Sequence, residues 1–374
     1  VGVNDRNKHR FEGMWPLPYG VSYNSYLIDD EMVALVDTVD ICYFEVYLRK
    51  IKQVIGERPI NYLIINHMEP DHSGSIRLIK QHYPGIIIVG NKQTFGMIEG
   101  FYGVTGEQYL VKEGDFLALG HHKLRFYMTP MVHWPETMMT FDETDGVLFS
   151  GDGFGCFGTV DGGFLDTRIN VDKYWGEMVR YYSNIVGKYG SPVQKALQKL
   201  GGLPISAICS THGPVWTENI AKVIGIYDRL SRYDADEGVV IAYGSMYGNT
   251  EQMAEAIAEE LSAQGVKNIV MHNVTKSHPS YIIADIFRYK GLIIGSPTYS
   301  NQIFPEVEAL LSKILLREVK GRYLGYFGSF TWAGAAVKRL AEFAEKSKFE
   351  LVGDPVEMKQ AMKDLTYTQC ENLA

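Results

Sequence analysis

The sequence of 374 residues has few cysteines, no basic run and no long apolar stretch. Its four cysteines form no CxxC pair, which argues against both a disulfide framework and a rubredoxin-type iron module. The longest apolar stretches, such as residues 62–65, are strand-sized, whereas a membrane helix needs about 20 residues. The net charge of −8 disfavours binding to nucleic acid or to anionic membranes. We therefore expect no nucleic-acid partner and no membrane span.

The start of the chain is polar at residues 4–10 and lacks the apolar core of a signal peptide. Together with the unpaired cysteines, this predicts a cytoplasmic protein. The composition is 46% hydrophobic and 21% charged, so the chain can bury a full core. Its length suggests two domains.

The pattern of predicted strands and helices changes near residue 236. Before that point, strands are predicted at 32–37, 60–66, 86–90, 123–129, 146–150 and 207–210, and helices at 44–55, 75–83, 175–186, 193–200 and 219–233. After it, strands at 239–243, 268–274, 292–295 and 323–327 alternate with helices at 250–264, 281–289, 305–316 and 335–347. We predict domains at 1–236 and 237–374, the second a doubly wound parallel sheet with its ligand beyond the strand ends.

Three loops of the second domain follow predicted strands. The segment 245–250 reads Ser-Met-Tyr-Gly-Asn-Thr at a helix start, where hydroxyl and N–H groups can bind an anion. The absence of GxxxxGK[ST] and GxGxxG favours a monophosphate over a triphosphate or dinucleotide. The loops 296–301 and 328–334 add Tyr299 and Trp332, which can flank a flat ring. Any one such turn is typical of an ordinary helix cap. Packing alone gives no reason for three such loops to occur together.

This half resembles a flavodoxin over residues 238–374, which implies bound FMN. The residues that the resemblance assigns to the cofactor are Ser245, Met246, Tyr247, Gly248, Asn249, Thr250, Ser296, Pro297, Thr298, Tyr299, Asn301, Ser329, Phe330, Thr331, Trp332 and Gly334.

Histidines and carboxylates follow the predicted strands of the first domain. Residues 66–72 read Asn-His-Met-Glu-Pro-Asp-His, and alternation along an extended loop would point His67, Glu69 and Asp71 the same way. His133, Asp152 and His212 each follow a later strand and can meet them at one sheet edge. Because buried charge of this density must be paired or metal-bound, the pattern predicts a metal site.

The layout resembles the metallo-β-lactamase fold, an αββα sandwich whose first loop reads HxHxDH. Here Glu69 replaces the second histidine, and a carboxylate makes the site harder, favouring iron or manganese over zinc. Joined to the flavodoxin half, the whole chain resembles a flavodiiron protein of the A-type flavoprotein (FprA) family. The resemblance implies one iron on His67, Glu69 and His133, a second on Asp71, His72 and His212, and Asp152 as the bridge.

The resemblance also implies an oxidoreductase that reduces O2 to water, NO to N2O, or both, with no catalytic residues beyond the metal ligands. Electrons would come through FMN from an external donor, either a rubredoxin or a reduced deazaflavin. Family members form head-to-tail dimers, so a homodimer or a dimer of dimers is expected. Glu12 stands in an N-terminal loop where members often carry a histidine.

Two alternatives remain open from the residues. One is a zinc hydrolase of the metallo-β-lactamase fold fused to an electron-transfer flavodoxin, against which Glu69 and the flavin half both argue. The other is an electron-transfer protein whose metal half is inactive. Against it argues the presence of all six core ligands, which are His67, Glu69, Asp71, His133, Asp152 and His212. Metal content separates the three: two irons, two zincs or none.

Overall fold

The computed structural model describes residues 1–374, which form two compact units. The first comprises Val1–Tyr182 and Tyr189–Ser231, and the second comprises Ser183–Lys188 and Arg232–Ala374. The boundary between residues 236 and 237 stays a prediction. None of the helices combines the length and the apolar character that a membrane-crossing segment needs.

The first unit contains fourteen strands and seven α-helices. The strands are β1 (Val3–Asp5), β2 (Arg10–Phe11), β3 (Trp15–Pro16), β4 (Val21–Tyr23), β5 (Tyr26–Ile28), β6 (Ala34–Val36), β7 (Tyr62–Ile64), β8 (Ile87–Gly90), β9 (Gln108–Leu110), β10 (Phe116–Ala118), β11 (Lys123–Met128), β12 (Met138–Asp142), β13 (Val147–Gly151) and β14 (Ala207–Ser210). The helices are α1 (Phe44–Ile55), α2 (Pro70–Ser73), α3 (Ile76–His82), α4 (Lys92–Tyr102), α5 (Asp172–Tyr181), α6 (Gly190–Leu200) and α7 (Ile220–Ser231).

Two five-stranded sheets form the body of this unit. One has the order β5-β6-β7-β8-β9 and is parallel from β6 to β9; the other has the order β10-β11-β12-β13-β14 and is antiparallel up to β13. Ile64 and Val89 of the first sheet share one buried cluster with Leu124, Phe126 and Met138 of the second. The core therefore lies between the two sheets, as in a sandwich.

The helices of this unit bury one face each, as the spacing of apolar residues predicts. Helix α1 buries Tyr47, Leu48, Ile51 and Ile55, which follow a period of three to four residues. Gly56 ends it in the left-handed region at φ 61°. Four of the five predicted helices and all six predicted strands are present with small shifts of their ends.

The helix predicted at 175–186 is wrong in its second half. Helix α5 ends at Tyr181, a π-helical turn covers Tyr182–Val186 and a 3₁₀ turn covers Gly187–Tyr189. A Cβ at Gly187 would lie 2.6 Å from the ring of Phe287, so any side chain at this position would force that ring, which is far along the chain, to shift. Apolar spacing cannot reveal such a contact, and it does not separate an α from a π turn.

The second unit is built around a seven-stranded sheet. Its strands are β15 (Asp236–Tyr243), β16 (Ile269–Asn273), β17 (Tyr289–Tyr299), β18 (Gln302–Ile303), β19 (Tyr323–Phe330), β20 (Glu350–Leu351) and β21 (Val356–Lys359). Its helices are α8 (Asn249–Ala263), α9 (Pro279–Arg288), α10 (Pro305–Arg317), α11 (Ala336–Ser347) and α12 (Asp364–Leu373).

The strand order is β16-β15-β17-β19-β20, all parallel, with β21 continuing beside the end of β19 and β18 antiparallel to β17. This confirms the predicted doubly wound parallel sheet. In such a sheet the carboxyl ends of neighbouring strands meet at one edge, so the loops after β15, β17 and β19 lie side by side.

Candidate metal centre

The first group of candidate ligands begins where β7 ends. The buried carboxylate of Asp37, directly after β6, accepts hydrogen bonds from the backbone N–H of Asn66 at 2.8 Å and of His67 at 3.4 Å. Thr140 of the other sheet donates to the Asn66 side chain at 2.8 Å. The strand-end segment that carries His67 is thus fixed from both sheets.

The segment from Pro70 to Ser73 is helical and not extended, contrary to the alternating loop that the sequence predicts. Glu69 precedes the short helix α2, whose first residue is Pro70. Proline suits that position because its fixed φ matches a helix and it has no N–H to satisfy. Thr38 donates to the carbonyl of His72 through both its backbone N–H at 2.8 Å and its hydroxyl at 2.9 Å. Asp71 and His72 therefore come from a helical turn.

The remaining candidates follow three other strands and converge on this group. His133 lies in the connection from β11 to β12, Asp152 directly follows β13, and His212 comes two residues after β14. Nε2 of His133 lies 3.1 Å from an oxygen of Glu69 and 3.1 Å from Oδ2 of Asp152. It also lies 3.3 Å from Nε2 of His67.

Asp152 lies between two sets of side chains. Its Oδ2 faces His133 and His67, the latter at 3.7 Å. Its Oδ1 faces Nε2 of His72 at 3.2 Å and Nε2 of His212 at 3.5 Å. Asp71 completes the second set, with Oδ2 at 3.3 Å from Nε2 of His212. The structure thus brings all seven predicted side chains together.

Several atoms of the cluster are buried without any hydrogen bond. They are both carboxylate oxygens of Asp71, both ring nitrogens of His72 and Nε2 of His212. Leaving such groups unsatisfied in the interior costs free energy, and a bound cation removes that cost. Four imidazoles and three carboxylates form two sets that share Asp152, and such nitrogen and oxygen donors suit a pair of first-row metal ions.

The charges of the cluster are strongly coupled. Burial favours the neutral acid of Asp152, but His72 and His133 outweigh it and hold the pKa of Asp152 well below its usual range. Burial opposes protonation of His72, yet Asp71 and Asp152 raise its pKa to about 10. Burial lowers the pKa of His212 to about 4. Burial also opposes protonation of His67 and His133, but the neighbouring carboxylates raise the pKa of both, so metal ions compete with protons at these rings and at His72.

Two histidines are oriented through their second ring nitrogen. Nδ1 of His67 donates to the buried carboxylate of Glu136 at 2.6 Å, and Nδ1 of His212 donates to the backbone carbonyl of Ser22 at 2.7 Å. Such bonds leave Nε2 free for a metal. Neither Glu136 nor Ser22 can be predicted from the sequence, because no spacing rule links either residue to the ligand it orients.

A cavity of about 750 Å³ reaches the cluster from one side and is lined by Glu69, Asp71, Glu12, Ile41 and Phe101 among others. Trp15 donates from its ring nitrogen to Glu12 at 2.9 Å. Burial, followed by the nearby charge of Glu69, raises the pKa of Glu12 to about 7. The N-terminal loop therefore puts the carboxyl group of Glu12 at this opening, at the position where the resemblance leads one to expect a histidine.

The predicted cofactor residues of the second unit lie at or beyond the carboxyl ends of β15, β17 and β19. Gly248 takes φ 90° immediately before α8 and donates its N–H to the hydroxyl of Ser245 at 3.2 Å. The hydroxyl groups of Thr250 and Ser329 are 2.9 Å apart, which joins the first loop to the third. The start of α8 thus offers backbone N–H groups and hydroxyls to one anion.

Two strands run further than the sequence predicts. Strand β17 continues to Tyr299 and β19 continues to Phe330, with Pro297 opposite Ser329 in the ladder. A short antiparallel pairing of β17 with β18 closes through Ser300 and Asn301, both at positive φ. Of the cofactor residues predicted here, 296–299 and 329–330 are therefore strand residues, because strand pairing overrides the turn propensity of proline and serine.

The aromatic side chains at this edge are open to solvent. The exposed fractions are 90% for Tyr247, 80% for Trp332 and 48% for Tyr299. Exposed aromatics around an anion-binding helix start fit a flat ligand that carries a phosphate group.

Comparisons with known proteins agree with both halves. Residues 21–213 match the family of ODP family beta lactamases, and residues 241–372 match the flavodoxin family. The anaerobic nitric oxide reductase flavorubredoxin of Vibrio vulnificus is 32% identical over 356 residues, which are 94% of this chain and 72% of that protein. The chain belongs to the flavodiiron protein family.

Solved structures of flavodiiron proteins superpose on the whole chain. The rubredoxin oxygen:oxidoreductase of Desulfovibrio gigas has a TM-score of 0.96 at 31% identity, covering 100% of this chain and 94% of that one. The flavodiiron protein of Giardia intestinalis has a TM-score of 0.95 at 28% identity, covering 100% and 92%. These relatives confirm the fold class and identify an oxidoreductase. Membership implies FMN and a non-haem diiron centre, and the two sites described above fit both groups.

Proposed function

We propose that this flavodiiron protein reduces O2 to water, NO to N2O, or both, at two irons in the first unit, with electrons passed from an external donor through FMN. The observation that carries the proposal is the convergence of seven His, Glu and Asp side chains in which Asp152 lies between two ligand sets. The names of the relatives support both gases, since one is called a nitric oxide reductase and another an oxygen oxidoreductase.

The residues divide into two metal positions in this proposal. His67, Glu69 and His133 hold one iron, Asp71, His72 and His212 hold the other, and Asp152 bridges them. We call these the Glu69 position and the Asp71 position. The pair of ferrous ions, when bound, supplies the electrons and the open coordination sites that a small diatomic molecule needs.

The chain's own residues set the conditions at that centre. Asp152 keeps the two positions close, while Glu69 and Asp71 offset the charge of the oxidised metals. Glu136 and the carbonyl of Ser22 fix the orientation of His67 and His212. Phe11 and Tyr181, whose rings lie 5.3 and 5.7 Å from the ring of His212, exclude water from that side.

The cofactor loops bind FMN in this proposal. The start of α8, with Ser245, Met246, Gly248, Asn249 and Thr250, holds the phosphate. The aromatic residues Tyr247, Tyr299 and Trp332 cover the ring. The other members of the set are Ser296, Pro297, Thr298, Asn301, Ser329, Phe330, Thr331 and Gly334, which shape the edge between them.

A head-to-tail homodimer, or a dimer of such dimers, is part of the same proposal, with FMN of one copy serving the irons of the other. A rubredoxin is the proposed donor and a reduced deazaflavin the second choice. Molar mass by light scattering, followed by turnover on dilution, tests the assembly. A monomer that turns over as fast as the dimer would remove this part of the proposal.

The experiment that tests the function uses fully reduced protein under anaerobic conditions, mixed separately with stoichiometric O2 and NO in a stopped-flow instrument. We expect the flavin to be reoxidised much faster than free reduced FMN by at least one gas, and the faster gas identifies the main substrate. Reoxidation by both gases at the rate of free FMN would contradict the proposal.

A further inference from the structure

Glu136 is a buried carboxylate outside the predicted ligand set. It lies three residues after His133, and its side chain has no exposed surface. Its Oε1 accepts hydrogen bonds from Nδ1 of His67 at 2.6 Å and from the backbone N–H of Met68 at 2.9 Å. Its Oε2 is buried without a hydrogen-bond partner.

The charge of Glu136 has no lysine or arginine to balance it. The one cation within ion-pair distance is His67, if that ring carries a positive charge. A buried carboxylate beside a neutral imidazole is poorly compensated. A metal ion at Nε2 of His67 supplies the missing positive charge through the ring. The geometry is therefore that of a carboxylate–histidine–metal arrangement.

His212, the other histidine oriented through Nδ1, has an uncharged partner. Nδ1 of His212 faces the neutral carbonyl of Ser22 at 2.7 Å. A carboxylate partner makes an imidazole a stronger donor than a carbonyl partner does, because it draws the Nδ1 proton and leaves more electron density on Nε2. The Nδ1 partners of these two histidines thus differ by one negative charge, which lies on the side of His67.

The surroundings of Glu136 fix its position. The side-chain amide of Asn91 donates to its backbone carbonyl at 2.6 Å. The ring of Trp134 stands edge-on to His67 with centroids 5.2 Å apart. Glu136 and His67 are thus held against each other from two sheets, which is what a residue needs if it is to aim another side chain.

We propose that Glu136 is a positioning residue: it holds His67 with its proton on Nδ1, aims Nε2 at the Glu69 position and makes that position the more tightly binding of the two, especially for ferric iron. This inference rests on the proposed function, because it takes His67 as an iron ligand. It adds a residue to the centre and an order of affinity to its two positions.

The test compares the wild-type protein with Glu136→Gln, which keeps the shape and a hydrogen-bond acceptor but removes the charge. Glu107→Gln, at an exposed surface position, is the matched control. Iron per chain is measured after dialysis against graded concentrations of a ferrous chelator. The mixed-valent EPR signal is followed during a redox titration.

We expect Glu136→Gln to lose its second, more tightly held iron at a chelator concentration about ten- to a hundredfold lower than the wild type does. The midpoint potential of iron oxidation should rise, because a lost negative charge destabilises the ferric state. Glu136→Asp, which keeps the charge at a shorter reach, should fall between the two. Glu107→Gln should match the wild type.

The possible outcomes distinguish a failure of this inference from a failure of the proposed function. If wild-type protein binds no iron, the proposed function fails and the inference fails with it. If wild-type protein binds two irons and Glu136→Gln retains both with an unchanged potential, only the inference is overturned. Should Glu136→Gln fail to fold, the Asp variant decides by the same two measurements, since lengthening the bond to Nδ1 must also weaken iron binding and raise the potential.

Discussion

The metal cluster and the cofactor loops are both built at strand ends, but they differ in burial. His72 and His212 have no exposed surface, whereas Tyr247 and Trp332 are 90% and 80% exposed. The metal cluster is held by hydrogen bonds and ion pairs from both sheets of its unit. The cofactor loops leave their largest side chains to be covered by a ligand. One site therefore depends on its metal for charge balance, and the other depends on its ligand for apolar cover.

Replacing the bridging candidate should have the largest effect. Asp152→Asn removes the one carboxylate that contacts both ligand sets and puts an amide beside His133 and His72. We expect iron content to fall well below two per chain and gas-driven flavin reoxidation to slow by at least about 100-fold, more than loss of an outer partner causes. FMN content should not change. Iron analysis and stopped-flow absorbance check both expectations.

Asp145→Asn is the control for that variant, since it makes the same chemical change at an exposed turn before β13. It should leave iron content and reoxidation unaltered. Full iron loading and wild-type reoxidation rates in Asp152→Asn would mean that Asp152 does not bridge the two metal positions.

Removing the metals should affect the first unit more than the second. A ligand at about 1,000 times its Kd stabilises the folded state by about 4 kcal/mol, and a domain of this size shifts by about 2–4 °C per kcal/mol, so chelation should lower its Tm by roughly 10 °C. Differential scanning calorimetry of native and chelated protein measures this shift. A second transition, which responds to FMN removal, should stay in place.

An equal lowering of both transitions by chelation would contradict the claim that the metals stabilise mainly the first unit. No change in either transition would contradict the same claim, because the buried cluster would then be stable without its cations.

Removing one aromatic side chain from the cofactor loops should have the smallest effect. Trp332→Ala loses a ring contact that is worth about 0.5–1.5 kcal/mol, so FMN should bind roughly three- to tenfold more weakly. Fluorescence titration of the FMN-depleted protein measures the affinity. Iron content and the Tm of the first unit should not change.

Tyr323→Ala is the matched control, because this half-exposed aromatic lies at the opposite end of β19 from Phe330. It should leave FMN affinity unaltered. Equal weakening in both variants would mean that Trp332 acts through general stability rather than through the ring of the ligand.

Local sequence patterns predicted most of the fold. The regular alternation after residue 236 predicted the parallel sheet, and the strand-end positions of His67, His133, Asp152 and His212 predicted where they converge. Long-range contacts set the features that were missed. A Cβ at Gly187, in the 3₁₀ turn after α5, would meet the ring of Phe287 a hundred residues on, and the extension of β17 is paired with β18 and β19.

The seven candidate ligands could be predicted, but their outer partners could not. A strand-end histidine or carboxylate stands out because such residues are rare after buried apolar strands. Glu136 and the carbonyl of Ser22 have no such signal, since their roles depend on the direction in which His67 and His212 turn Nδ1. The alternation of polar residues at 67, 69 and 71 does not predict the helical turn at Pro70–Ser73, because the extended backbone ends at the proline.

The most direct test of the central claim is the metal content of the protein purified anaerobically from cells grown with both iron and zinc, measured by emission spectrometry together with extracted FMN. We expect two irons and one FMN per chain. Two zincs in place of iron, with FMN still bound, would contradict the diiron centre and favour the hydrolase alternative.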